Sequence, residues 1–289
     1  MIEFEQSQAK ARILMEALPY VRRFRGSIFV VKYGGSFMDS PDPEVRSGVA
    51  KDLVFLNFVG IKVVVVHGGG KAITMELQKR GIKAQFLDGL RVTDADTIDT
   101  VDTVLNEQVN REVSQFVSSH DCDVQRFPGK EVLTCEKLQG KHDLGYVGEV
   151  TKVQKEPILH ALENGQMPIL SSTASDEKGI CYNVNADNVA SKVAIALGAR
   201  RLVYLSDVPG LLRDPDDPSS LLSSLAVNEV EPLKDEGVIS AGMLPKVNSA
   251  VEALESGVNR VHFIDGRMPH SILLEIFTDQ GIGTEIVHA

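Results

Sequence analysis

Two glycine clusters end apolar runs early in the chain: KYGGS at 32–36 follows SIFVV, and HGGGK at 67–71 follows KVVVV. Glycine at the carboxyl end of a strand lets backbone N–H groups approach an anion, and a following helix adds its positive end. A single loop of this kind reads first as a tight strand-to-helix turn. Two of them, with Lys32 beside the first, point to a polyanionic ligand. Neither is a Walker loop, because GGGK lacks the GxxxxGK[ST] spacing, and no GxGxxG fingerprint occurs. Arg91 offers a planar fork that takes a carboxylate in a bidentate pair. Asn183 and Asn185 offer amide donors and acceptors together, and otherwise serve as turn residues before a helix. Taken alone, Asp187 reads as a helix N-terminal carboxylate favoured by the dipole, and Lys246 as a solvated helix lysine. His67, at a strand end, reads as structural.

The elements that must position these residues alternate. SIFVVKY, KVVVVHG, MPILSS, RLVYLSD and RVHFID have the unbroken apolar character of strands covered on both faces. EVRSGVAKDLVFLNFVG, AITMELQKRG, ADNVASKVAIALGA and PKVNSAVEALESGV carry helical periodicity between them. The alternation predicts an α/β fold with a mainly parallel sheet. Residues 128–150 read as a hairpin or flap, and DPDDPSS at 214–220 as a surface loop.

At 289 residues and 43% hydrophobic content, the chain can bury one large core or two joined lobes. No run approaches a membrane span, and the charged N-terminus lacks a signal-peptide core, so the expected location is cytoplasmic. The formal charge of −10 argues against nucleic acid or an anionic membrane as partner. Cys122, Cys135 and Cys181 form no CxxC pair, and the histidines show no HExxH spacing, so no dedicated metal site is expected.

KYGG, HGGGK, GLRVTD (89–94), DLGYVGEV (143–150), NVNADNVA (183–190), LSDVPGLL (205–212) and AGMLPKV (241–247) together resemble the N-acetylglutamate kinases of the amino-acid kinase family, over nearly the whole chain. The resemblance implies a three-layer αβα sandwich. It implies an N-terminal helix (1–26), a lobe for the amino-acid substrate (27–177) and a lobe for ATP (178–289), with Mg²⁺ carried by the nucleotide. Lys32 and Lys246 would flank the phosphates with Asp187 between them, and Gly34, Gly35, Gly69 and Gly70 would supply N–H donors. Arg91 would take the substrate α-carboxylate, with Asn183 and Asn185 beside it. Ser206, Asp207 and Leu212 would border the nucleotide. Carboxyl phosphorylation needs no general base, so His67 is given no catalytic role. Ala241 departs from the two glycines usual before Met in the lysine motif. The remaining alternatives are a family member acting on carbamate, aspartate or a nucleotide, and a non-catalytic arginine sensor.

Ile13, Leu14, Ala17, Leu18, Val21 and Phe24 share one helical face, and Pro19 should kink that helix. Periodicity alone lays it on its own subunit. EALPYVRRFRG, however, resembles the N-terminal helix of arginine-inhibited, hexameric members, built as trimers of dimers. Tyr20, His262, Glu275 and Gly281 would then form an L-arginine pocket, with Glu275 on the guanidinium and the 281–284 turn on the α-carboxylate.

Overall fold

The computed structural model describes residues 2–34, 43–239 and 242–288. Gly35 and Ala241 lie outside the described residues, and so do the readings placed on them.

An eight-stranded sheet runs through the molecule in the order Ser224–Ala226, Thr284–Val287, Arg260–Asp265, Arg201–Ser206, Ile28–Tyr33, Lys62–His67, Met167–Ser171, Val124–Phe127. The pairings are parallel apart from Arg260–Asp265 with Thr284–Val287, which is antiparallel. The valine-rich strands form because β-branched side chains suit a pleated surface, and both faces are covered.

Alternation along the strands divides the core in two. Val30, Val64, Val66, Leu170, Leu202 and Tyr204 face one side, where they meet the helices Ala186–Ala196, Leu244–Glu255 and Lys155–Glu163. Phe29, Val31, Val63, Val65, Ile169 and Val203 face the other, against Pro43–Phe58, Gly70–Lys79, the rod 95–118 and Ser271–Ile276. This is the three-layer αβα sandwich. The central pair, Ile28–Tyr33 with Arg201–Ser206, joins the two halves of the chain within one sheet.

The 128–150 segment does contain a hairpin, Leu133–Lys137 with Val147–Val153. Thr173–Ser175 and Cys181–Val184 close it into a small four-stranded barrel. The 214–220 loop ends in a short 3₁₀ turn, Pro218–Ser220, held by Asp217.

A single helix, Ile2–Phe24, contains Pro19. Its last turns dock on the chain: Phe24 is buried against Phe29, with ring centroids 5.3 Å apart, and Tyr20 packs edge-on to Phe277 at 6.2 Å. Further out, Ile13 and Leu14 are 64% and 69% exposed. Periodicity is therefore right about the stripe, but the chain itself covers only the last part of it. Among the described residues no helix is long and apolar enough to cross a membrane.

Candidate active site

Three elements converge at the carboxyl edge of the central strands. Lys32 is the penultimate residue of Ile28–Tyr33, and the parallel register places His67 beside Tyr33 at the end of the next strand. Asp187 sits in the first turn of Ala186–Ala196, capped by Asn185 Oδ1, which accepts from the Asp187 N–H at 2.8 Å and the Asn188 N–H at 3.3 Å. Lys246 lies in the first turn of Leu244–Glu255, and the Ser191 hydroxyl donates to the Ser249 carbonyl at 2.9 Å to tie the two helices together.

Asp187 bridges the two lysines. Lys32 Nζ lies 2.9 Å from Oδ1 as an ion pair, and Lys246 Nζ donates to Oδ2 at 2.5 Å. Burial alone would raise the Asp187 pKa, but the two ammonium groups outweigh it and hold the carboxyl below its ordinary value. Gly34 wraps the lysine closely. A Cβ there would fall 2.7 Å from Lys32 Nζ, so a side chain at this position would displace the ammonium.

A cavity of about 240 Å³ opens beside this pair, lined by Lys32, Gly34, Gly68–Gly70, Arg91, Asn183, Asn185 and Asp187. Arg91 comes from the short hairpin Phe86–Leu87/Leu90–Arg91, and its guanidinium carbon stands 4.7 Å from the Phe86 ring centroid. Its Nη2 donates to the Gly70 carbonyl and the Thr74 hydroxyl, each at 2.8 Å. Its Nη1 is buried without a partner. A buried guanidinium with an unmatched donor at a cavity wall is suited to an incoming carboxylate. Asn183 Nδ2 donates to the Thr93 hydroxyl at 3.3 Å. Asn185 has its oxygen committed to the helix cap, so its NH₂ is what it can offer a ligand.

The glycine loop is buttressed from behind. The rod 95–118 contains one wide π turn, Val104–Val109, whose Leu105 and Val109 press on Gly69: a Cβ there would lie 2.7 Å from Leu105 Cδ2. Asn106 and Asn110 point at the sheet edge, Asn106 accepting from the Ser171 hydroxyl at 2.7 Å and Asn110 reaching His67 Nε2 at 3.0 Å. Sequence reasoning passed over both asparagines. The signal was present as Asn106, Asn110 and Ser114, recurring every four residues next to Leu105, Val109 and Val113. Burial pushes the His67 pKa down to about 4, so the ring is neutral, as befits a residue with no proton to move.

Ser206, Asp207 and Leu212 lie outside this cavity's lining. Ser206 ends the strand paired with Ile28–Tyr33, Lys32 lying level with Tyr204, so it stands on the same sheet edge. Among the described residues no cluster of three or more His, Cys, Asp or Glu side chains could hold a metal.

A second cavity of about 560 Å³ lies where the N-terminal helix meets the C-terminal segment, and Tyr20, His262, Glu275 and Gly281 all line it. Tyr20 donates to Asp279, tying the helix to this segment. Glu275 is more heavily engaged than its sequence context implies. Its Oε1 pairs with His262 Nδ1 at 2.7 Å, and its Oε2 accepts from the N–H groups of Ile282 and Gly283 at 2.8 and 2.9 Å. Burial would raise its pKa, and His262 with the two N–H groups outweighs that and lowers it. The turn N–H groups expected to face a ligand carboxylate thus hold Glu275, while Arg23, Arg201 and Arg260 line the same cavity as cations.

The amino acid kinase family model matches residues 27–265. The chain belongs to the amino acid kinase family. Within that family it is 46% identical to the acetylglutamate kinase of Thermosynechococcus vestitus, over 96% of this chain and 94% of that one. It is 45% identical to the acetylglutamate kinase of Syntrophomonas wolfei, over 96% and 97%. Among solved structures, the N-acetylglutamate synthase of Neisseria gonorrhoeae, complexed with coenzyme A and N-acetyl-glutamate, superposes with a TM-score of 0.85 at 26% identity. That match covers 96% of this chain and 63% of the synthase, so the chain spans under two thirds of that protein. Carbamate kinase from Giardia lamblia bound to AMP-PNP, at 15% identity and TM-score 0.68 over 91% and 99%, shares the fold. Its curated relatives within the family are acetylglutamate kinases, and the chain is a phosphotransferase of that family.

Proposed function

We propose that the chain transfers the γ-phosphoryl group of ATP to the γ-carboxylate of N-acetyl-L-glutamate, giving N-acetylglutamyl 5-phosphate in arginine biosynthesis, and that L-arginine inhibits it. The observation that carries this reading is Asp187 bridging Lys32 and Lys246 beside a cavity whose wall holds the half-partnered Arg91. The acetylglutamate kinase relatives support the choice of substrate.

An ionised carboxylate is already a nucleophile at neutral pH, so what remains is alignment and charge neutralisation. Arg91 takes the α-carboxylate and sets the reach of the γ-carboxylate. Lys32 approaches the transferring group from the segment 27–177, which binds the amino acid, and Lys246 from 178–289, which binds ATP. Asp187 keeps the two ammonium groups apart and aimed, and the N–H groups of the glycine loops face the phosphoryl oxygens. Mg²⁺ arrives with the nucleotide and supplies further charge neutralisation there. Ser206, Asp207 and Leu212 border the nucleotide along the same sheet edge.

Arginine occupies the second cavity, between Tyr20 of the N-terminal helix and His262 and Glu275. The uncovered face around Ile13 and Leu14 is the contact through which subunits interlace into a hexamer. The enzyme is cytoplasmic. The deciding experiment is ADP release by the purified chain with a panel of acylated and free amino acids, with and without arginine. Turnover confined to acetylglutamate and suppressed by arginine is the expected result. Turnover with carbamate or aspartate instead would overturn the substrate, and no turnover with any acceptor would leave an arginine-binding protein.

A further inference from the structure

The Gly68–Gly70 loop has four successive peptide planes, and each is held by a different bond. The Gly68 N–H reaches the Tyr33 carbonyl at 3.3 Å, fixing the plane before Gly68. The Gly69 carbonyl accepts from the Ile73 N–H at 2.9 Å, fixing the plane that carries the Gly70 N–H. The Gly70 carbonyl accepts from Arg91 and Thr74. The remaining plane, between Gly68 and Gly69, lies outside both strand and helix. A trans peptide points the carbonyl of one residue and the N–H of the next in opposite directions, so the Gly69 N–H is aimed by whatever holds the Gly68 carbonyl. That plane is flanked by glycine on both sides, where a flip meets little steric resistance. His67 Nδ1 holds it, 2.9 Å from the Gly68 oxygen.

We propose that His67, set by Asn110 and Arg126, is a positioning residue that fixes the Gly68–Gly69 peptide and so aims the Gly69 N–H into the phosphoryl-binding cavity. This rests on the phosphotransferase reading above. The direction of every bond follows from donor chemistry. Arg126 has donors and no acceptor, and its Nε lies 2.8 Å from Asn110 Oδ1. Asn110 must therefore turn its NH₂ toward the Ile169 carbonyl and His67 Nε2, both at 3.0 Å. Nε2 is then an acceptor, and the neutral ring must carry its proton on Nδ1, where the Gly68 carbonyl receives it. A guanidinium two strands away, on Val124–Phe127, thus dictates a tautomer, and the tautomer dictates a loop peptide.

The amide nitrogen of asparagine reaches the place of an imidazole Nδ1, whereas leucine fills the space with no donor. His67→Asn should keep most of kcat, and His67→Leu should lose at least about tenfold in kcat with the KM for acetylglutamate changed by no more than about twofold, because misaiming one donor weakens the transition state more than substrate binding. Independently, ¹⁵N-detected imidazole spectra of the unmodified protein at pH 7 should show the His67 ring in the Nδ1–H form, told apart from buried His262, whose Nδ1 faces Glu275, by its disappearance in His67→Asn. Full kcat in His67→Leu, equal losses in both variants, or an Nε2–H ring at His67 would each overturn the proposal. If the variants do not fold, the tautomer decides alone. If the unmodified protein releases no ADP with acetylglutamate, the functional reading fails while the tautomer still tests the positioning claim.

Discussion

Asp187→Asn removes one charge and leaves two lysines facing each other. The side chains of Lys32 and Lys246 are 12% and 22% exposed, and that of Asp187 is 8% exposed. Breaking a buried ion pair by deleting one partner typically costs about 3–5 kcal/mol, because the other charge stays desolvated. Here both ammonium groups retain a path to water, so the lower figure, about 3 kcal/mol, is expected. At roughly 2 °C per kcal/mol for a chain of this size, Tm should fall by about 6 °C. Misplacing the lysines should lower kcat by about 10²–10³, as for loss of a donor that acts on transition-state charge. Saturating ATP should raise the Tm of the variant by more than that of the unmodified protein, because nucleotide phosphates replace the missing anion. The pH sign is definite. A carboxyl whose pKa is depressed by folding stabilises the protein above its ordinary value of 3.8 and loses that contribution as pH falls through the folded value. The Tm gap between the two proteins should therefore be flat from pH 5 to 8. Coupled ADP-release assays and thermal melts measure all of this. A kcat within twofold of the unmodified enzyme, together with an unchanged Tm, would refute the idea that Asp187 organises the lysine pair.

Lys32→Ala and Lys246→Ala should each reduce kcat by about 10²–10³ while changing the KM for acetylglutamate less, as steady-state kinetics will show. Arg91→Lys keeps the charge but loses the fork, so the KM for acetylglutamate should rise steeply and ATP affinity by calorimetry should stay nearly constant. Deleting residues 1–25 should leave activity, abolish arginine inhibition and reduce a hexamer to dimers in light scattering; inhibition that survives would separate the helix from regulation. Glu275→Gln should weaken arginine inhibition without changing assembly, and should also lower Tm by a few degrees because a charged acceptor for the Ile282 and Gly283 N–H groups becomes a neutral one.

The sheet was legible wherever a strand is buried on both faces, since KVVVVH and RLVYLS announce themselves by unbroken β-branched and apolar residues. Two short strands at one end of the sheet were not. Thr284–Val287 and Ser224–Ala226 have few residues and pair at long range, so local pattern says little about them. Lys32, Asp187 and Lys246 could be nominated by resemblance, but their meeting depends on two helices converging from positions 59 residues apart. The rod 95–118 escaped notice because its π turn shifts the apolar period midway, and a stripe of asparagine and serine on a helix resembles a solvated face. Asn110 is instead buried, because His67, Ile169 and Arg126 satisfy it. The engagement of Glu275 was hidden for the same reason. Its partners are chosen by a turn that folds back on it, and a carboxylate that accepts two backbone N–H groups cannot be told from a free one in sequence.

The charge distribution suits the two cavities to different classes of ligand. The chain carries a formal net charge of −10, yet Lys32 and Arg91 outnumber Asp187 in the lining of the first cavity, and Lys246 pairs with Asp187 beside it. The N-termini of Gly70–Lys79 and Ala186–Ala196 add positive ends to the same space. Acetylglutamate and ATP are both anions, and an acidic surface repels them everywhere else. Over distances beyond about 8 Å at physiological salt, the surface charges are screened, so the last approach is governed by the local excess of cations. The second cavity is mixed: Glu275 pairs with His262, Glu285 with Arg260, and Asp279 accepts from Tyr20, while Arg23 and Arg201 line the same space. A single polyanion would gain little there, whereas a ligand with a cation at one end and a carboxylate at the other can satisfy both sides. Under the proposed function, one acidic chain would thereby keep a site for anions and a site for a zwitterion chemically distinct.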